Sequence, residues 1–178
     1  TERYPGVLDA LVGAAEETTS GLRPLRSFDL RIPVLASNDA RSKTLFDNAY
    51  GTGQSCWTTI LDLIDPRGVR APVAGMSVVV IGYGDVGRGC ARFGAALGAR
   101  VTVVELDPVR ALQASMDGFG VASLEQAAPS AGMLISATGE RATIPLSALE
   151  AAPEGAIVTV AGGVDGEVSI DEAVAASW

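Results

Sequence analysis

The stretch Ser77–Gly89, "SVVVIGYGDVGRG", constrains the fold more than any other part of the chain. A continuous apolar run of strand length meets three glycines spaced G-x-G-x-x-G, and a helical pattern follows over Val86–Leu97, with small residues on one face. Strands buried on both faces read as such unbroken apolar runs. The same alternation continues downstream. Arg100–Glu105 is strand-like, and Pro108–Met116 is a helix with proline in its first turn. A short strand near Val121, a helix near Leu124–Ala128 and strands at Met133–Ser136 and Ala156–Ala161 complete the series. Strands alternating with helices predict β-α-β units and a doubly wound, Rossmann-type α/β fold over 76–178.

Residues 1–75 carry a different pattern. Pro5–Ala14 is expected to be helical, Thr18–Gly21 a loop and Ile32–Ala36 a short strand, with helices at Ser42–Asn48 and Gln54–Ile64. "DPRGVRAP", residues 65–72, is rich in turn residues and reads as a linker. The expectation is a mainly helical N-terminal segment followed by the parallel sheet.

A glycine triplet alone can be an ordinary turn. Here Gly82 ends a predicted strand, Gly84 removes a side chain where a pyrophosphate would approach, and Gly87 opens a helix that packs closely on the strand. The first-turn N–H groups at Asp85, Val86 and Gly87 would face the phosphates. Glu105 follows at the end of the next strand, where a carboxylate accepts hydrogen bonds from the adenosine ribose diol and repels a 2′-phosphate. NAD is therefore expected over NADP, with Arg110 the one residue nearby that argues the other way.

Charge and composition narrow the partners. The net charge of −8 disfavours nucleic acid. No apolar run has the length of a membrane span. Two cysteines, Cys56 and Cys90, do not make a disulfide framework, and a reducing cytoplasm is expected. There is no histidine, and no metal site is expected.

Lys43 is the single lysine; every other basic residue is arginine. In a helix over 42–48, Lys43 and Asp47 stand four apart on one face. That spacing suits a surface ion pair, but arginine would serve such a pair equally well. A desolvated lysine can lose its proton, whereas arginine effectively cannot. "AAEETTSG", residues 14–21, reads by itself either as a helix cap or solvated loop, or as a polar site.

Taken together these stretches resemble one family, the adenosylhomocysteinases (S-adenosylhomocysteine hydrolases). The matching segments are "EETTSG" at 16–21, "ND" at 38–39, Lys43, "FDN-YG" at 46–51, "GYGDVGRG" at 82–89, "GARV" at 98–101, "E-DP--AL-A-M-G" from Glu105 to Gly118, and "TG" at 138–139. "YGTGQS", 50–55, is similar to bacterial and archaeal members. The resemblance implies a tightly held NAD+ that accepts a hydride from the ribose 3′-carbon, so that the 4′-proton can leave and homocysteine be expelled from the 5′-carbon.

It also implies roles. Lys43 and Asp47 would contact the ribose hydroxyls, Glu17 would hold the ribose, and Asn38 and Asn48 would order this group. Thr18, Thr19 and Ser20 would bond the nicotinamide half of NAD, with Thr138 and the backbone at Ala161, Gly162 and Gly163 on the nicotinamide side. The sequence departs from the family at two histidine positions, where it has Gly163 and Arg23. Counterparts of the family's large substrate domain and C-terminal tail are not found in it.

The expectation is therefore NAD-dependent oxidation of an adenosine-like small molecule rather than complete hydrolysis by this chain alone. A homo-oligomer or a partner chain would supply the substrate domain. Two alternatives stay open: a degenerate NAD-binding structural or regulatory subunit, and a dehydrogenase of an unrelated small alcohol.

Overall fold

The computed structural model describes residues 6–68 and 72–176. The chain forms two compact units, Thr1–Leu45 and Phe46–Trp178. Among the described residues no helix is long and apolar enough to cross a membrane.

The first unit holds a 3-10 turn at Val7–Ala10, strand β1 (Ala14–Glu16), helix α1 (Thr19–Leu25), strand β2 (Val34–Ala36), a 3-10 turn at Ser37–Asp39 and the single helical turn α2 (Arg41–Lys43). The two strands pair in parallel, Ala15 opposite Leu35. Two expectations fail here. The helix expected over Pro5–Ala14 shrinks to one 3-10 turn, and β1 begins at Ala14; Pro5 lies outside the described residues. The loop expected over Thr18–Gly21 is instead the start of α1. Thr18 takes extended N-cap geometry with no cap bond from its own hydroxyl, and Glu16 Oε1 accepts its N–H at 3.0 Å.

A π-helical segment, Thr44–Thr52, runs into α3 (Gly53–Ile64). The α-helix expected over Ser42–Asn48 thus stops at Lys43, and α-helical i,i+4 spacing does not carry from Lys43 to Asp47. A Cβ on Gly89 would overlap the Ala49 carbonyl oxygen, so this backbone lies directly against another helix. The linker expected at 65–72 falls partly on residues 69–71, outside the described ones.

The sheet elements follow in order: β3 (Ser77–Ile81), α4 (Asp85–Ala96), β4 (Arg100–Val104), α5 (Pro108–Met116), β5 (Gly120–Val121), α6 (Leu124–Ala127), β6 (Met133–Ser136), α7 (Leu146–Ala151), β7 (Ile157–Val160) and α8 (Ile170–Ala175). The bounds expected from sequence for the shared elements fall within about a residue of these; α7 and α8 were not anticipated. All five strands are parallel, in the order β5-β4-β3-β6-β7. Central strand β3 pairs Val80 with Val103 on one side and with Ile135 on the other. Its side chains divide the core. Val78 and Val80 face the layer of α3, α4 and α5, while Val79 and Ile81 face that of α6, α7 and α8. This is the doubly wound arrangement expected. The strand order reverses between β3 and β6, and ligands of such sheets bind in the crevice at that switch point.

Candidate functional site

The glycine loop stands at the switch point. Gly82 adopts φ +95°, a left-handed conformation open to glycine, and turns the chain out of β3. A Cβ there would lie 3.0 Å from Thr138 Cγ2, so the loops after β3 and β6 touch. A Cβ on Gly87 would overlap the Gly82 carbonyl oxygen, so the first turn of α4 rests on the strand end. Gly84 differs. It is the N-cap of α4 in ordinary extended geometry, and a Cβ there would meet nothing nearer than Arg110 Nη1 at 3.9 Å. The space above Gly84 is open, and the N–H groups of Asp85, Val86 and Gly87 begin the helix beneath it. Asp85, whose charge would oppose an anion there, is paired with Arg88 at 2.7 Å.

Glu105 is held by backbone alone. Its Oε2 accepts the Tyr83 N–H at 2.7 Å, and its Oε1 accepts the N–H groups of Leu106 at 2.7 Å and Asp107 at 3.0 Å. The carboxylate is thereby fixed beside the glycine loop. Tyr83, the first variable residue of the triplet, anchors the loop from below. It is buried, its hydroxyl donates to Asp117 Oδ2 at 2.8 Å, and its ring meets Phe119 edge-on. Burial first, then the Asp117 carboxylate, raises its phenol well above the ordinary tyrosine value.

Across the switch point a polar network lies under the loop after β7. The buried Glu167 accepts the hydroxyls of Ser136, at 2.5 Å, and Thr138, at 3.1 Å, on Oε2. Thr138 Oγ1 also accepts the Glu140 N–H at 3.0 Å. Ala161 N–H bonds the Ser136 carbonyl at 2.7 Å. Glu167 Oε1 is buried without a hydrogen-bond partner and lies where Gly162 would carry a Cβ. Gly163 is exposed and lines, with Val160 and Ile170, an open cavity of about 460 Å³ at the sheet edge.

The structure thus brings Gly82, Gly84, Asp85, Val86, Gly87, Glu105, Arg110, Thr138, Ala161 and Gly162 into one contiguous region. Tyr83, Glu167 and Ser136 are parts of it that sequence reasoning passed over. Tyr83 carried a signal, an aromatic between two glycines. Glu167 carried none, because a glutamate next to a glycine reads as surface.

The first unit gathers a second group. Lys43 Nζ donates to Asn38 Oδ1 at 3.0 Å, and Asn38 Nδ2 donates to Thr19 Oγ1 at 3.2 Å and to Asp39 Oδ1 at 3.3 Å. Asn38 is buried and Lys43 half-buried. Glu17 and Thr18 are exposed and Ser20 half-buried at the start of α1. Of the pair Glu16–Glu17, Glu16 is the one turned onto the helix start, against Gly21. In the second unit Asp47 is exposed, with Oδ1 3.1 Å from where Gly51 would carry a Cβ, and Asn48 is buried.

A family model described as the NAD binding domain of S-adenosyl-L-homocysteine hydrolase matches residues 48–177. The chain belongs to this family. It is 46% identical over 172 residues to the adenosylhomocysteinase of Pyrococcus abyssi, covering 94% of this chain and 39% of that protein. It is 41% identical over 169 residues to the S-inosyl-L-homocysteine hydrolase of Methanopyrus kandleri, covering 93% and 39%. The chain therefore spans about two fifths of the length of these relatives. Among solved structures, a dipicolinate synthase from Bacillus halodurans superimposes with TM-score 0.70 at 18% identity, covering 92% of this chain and 55% of that one, a likeness of fold.

The cofactor of the family domain is NAD, and the residues present fit it. Glycine stands at each point where a Cβ would close the cradle, a helix start faces the open space, and an anchored carboxylate lies beside it.

Proposed function

We propose that this chain holds NAD and supports oxidation of the ribose 3′-hydroxyl of an adenosine-type nucleoside, one half of the chemistry of its family. Bound NAD+ supplies the acceptor for the hydride of the hydroxyl-bearing carbon. The chain's own residues bind, orient and move the proton. The N–H groups of Asp85, Val86 and Gly87 bind the pyrophosphate in the space above Gly84. Arg110, its guanidinium on the Gly84 side, adds positive charge to the phosphates. Glu105 accepts the adenosine ribose hydroxyls and disfavours a 2′-phosphate, so NAD is used rather than NADP. Thr138 and the backbone at Ala161–Gly163 border the nicotinamide half.

Lys43 assists removal of the hydroxyl proton, and Glu17 holds the ribose. The observation that carries this role is the bond from the chain's single lysine to the buried Asn38, which Thr19 fixes in turn. Relatives named for an adenosyl and for an inosyl substrate are similarly close, so both nucleosides belong in the assay. Expulsion of homocysteine needs groups beyond these residues.

The test is Lys43→Ala. Reduction of NAD+ by adenosine or inosine, followed by absorbance, should fall about 10²–10⁴-fold. NAD affinity, by calorimetric titration, should stay within about twofold. An unchanged rate refutes the role of Lys43. A parent protein that binds NAD yet is inert to both nucleosides would favour a purely structural, NAD-holding role, which Gly163 at the family histidine position also supports.

A further inference from the structure

Helices α3 and α4 meet with their backbones in contact. A Cβ on Gly53 would come within 2.7 Å of the Gly89 carbonyl carbon. One turn along α3, the Trp57 indole donates to the Cys90 carbonyl oxygen at 2.8 Å, and its ring edge lies 2.7 Å from where Gly94 would carry a Cβ. These contacts fix residues 53–57 of α3 against residues 89–94 of α4. Cys56 precedes Trp57 and Cys90 follows Gly89, so both cysteines lie in the contacting turns, and both pack in one core cluster. Cys90 is fully buried in the core, and Cys56 packs at the margin of that core, half-buried. Neither thiol belongs to the nucleotide region described above.

We propose that Cys56 and Cys90 form a modification site: a dithiol that hydroperoxides oxidise to a disulfide linking α3 to α4. Cys56 reacts first, because it is the partly exposed member. Its thiolate attacks one oxygen of hydrogen peroxide, the O–O bond breaks, and with one proton taken up a water leaves and Cys56 becomes a sulfenic acid. Cys90 then attacks the Cys56 sulfur. The S–S bond forms, the S–O bond breaks, and the departing hydroxide takes up the Cys90 proton as a second water. Two thiols are oxidised and one peroxide is reduced to two waters. Cys90 needs no solvent access, since it meets the sulfenic acid from inside the core.

The thiols are electronically divided in the same sense. The neighbouring Cys90 thiol lowers the Cys56 thiol to about 7, against the opposing effect of burial. Cys56, and then burial, pushes the Cys90 thiol up. Near neutral pH the nucleophile is Cys56 and the proton stays on Cys90.

The whole chain, reduced and then exposed to hydrogen peroxide under native conditions, is denatured, alkylated and mapped by mass spectrometry. The expected product has lost both alkylatable thiols, is lighter by about 2 Da, contains a peptide linking Cys56 to Cys90, and reverts with dithiothreitol. The proposal is overturned if Cys56 carries a sulfinic or sulfonic acid while Cys90 still alkylates. It is equally overturned if the bond forms only between chains, or if both thiols survive peroxide that oxidises glutathione. In Cys56→Ser, Cys90 should stay reduced during the same exposure, and its oxidation there would refute the order of attack. The parent experiment stands whether or not that variant folds.

Discussion

Replacing Gly84 by alanine separates what the protein needs from what its cofactor needs. The added methyl meets no protein atom nearer than Arg110 Nη1 at 3.9 Å, at the end of an exposed flexible side chain. The backbone at φ −71° and ψ −168° is one that alanine adopts without strain. Two small effects on stability oppose each other. The unfolded chain loses conformational freedom, worth about 0.4–1 kcal/mol in favour of the variant. Alanine is a poorer N-cap than glycine, at a cost of about 0.5–1 kcal/mol. The melting temperature should therefore move by no more than roughly 2–4 °C.

NAD should respond very differently. A methyl placed where the pyrophosphate approaches the helix start forces an overpacked contact, costing about 1–3 kcal/mol, or roughly 5–150-fold in affinity. Calorimetric titration of NAD+ into both proteins, beside thermal unfolding of the stripped proteins, checks the two halves. An unchanged affinity with an intact fold would show that the space above Gly84 is not the phosphate site. Gly87→Ala is the internal contrast: its Cβ would overlap the Gly82 carbonyl oxygen, so stability itself should fall.

Tyr83→Phe removes the hydrogen bond to Asp117 while keeping the ring on Phe119, and should cost about 1.5 kcal/mol, since Asp117 retains Arg92 at 3.5 Å. The parent should also lose stability as pH rises past about 10, where the unfolded tyrosine ionises while the folded phenol, its pKa raised, holds its proton. Below pH 10 that contribution is fully present. Urea unfolding across pH 8–11 should show a shallower alkaline decline in the Phe variant, and parallel curves would refute the buried phenol as its source. Glu167→Ala should cost about 2 kcal/mol by stripping the Ser136 and Thr138 hydroxyls of their acceptor, whereas Glu167→Gln, with its amide oxygen in the Oε2 position, should recover most of it. Equal melting temperatures for the two variants would show that the network contributes nothing.

The parallel sheet was legible because each cause of it is local in sequence. Val78–Ile81 are buried on both faces and leave no polar interruption, and the turns after β3 and before β4 and β5 are marked by Gly82, Gly98 and Gly118, all at positive φ. Register, helix placement and the crevice then follow from the handedness of β-α-β connections. The N-terminal unit was less legible because residues 14–21 are small and polar, and Glu16, whose carboxylate meets the helix start, is one of two adjacent acids that the sequence does not tell apart. The π-helical segment had no sequence signal, and its packing partner Gly89, lying against the Ala49 carbonyl, is about forty residues away in the chain. Gly89 also shows why glycines past the triplet could not be sorted by eye. Together with Gly53 it lets two helices touch, which has nothing to do with a nucleotide. Glu167 was hidden for the same physical reason, as its partners Ser136 and Thr138 lie 31 and 29 residues upstream on and beyond another strand. Cofactor cradles are written in contiguous residues because backbone N–H groups make them. The side chains that brace such a cradle come from wherever the sheet brings them, and the fold has to be built before they can be found.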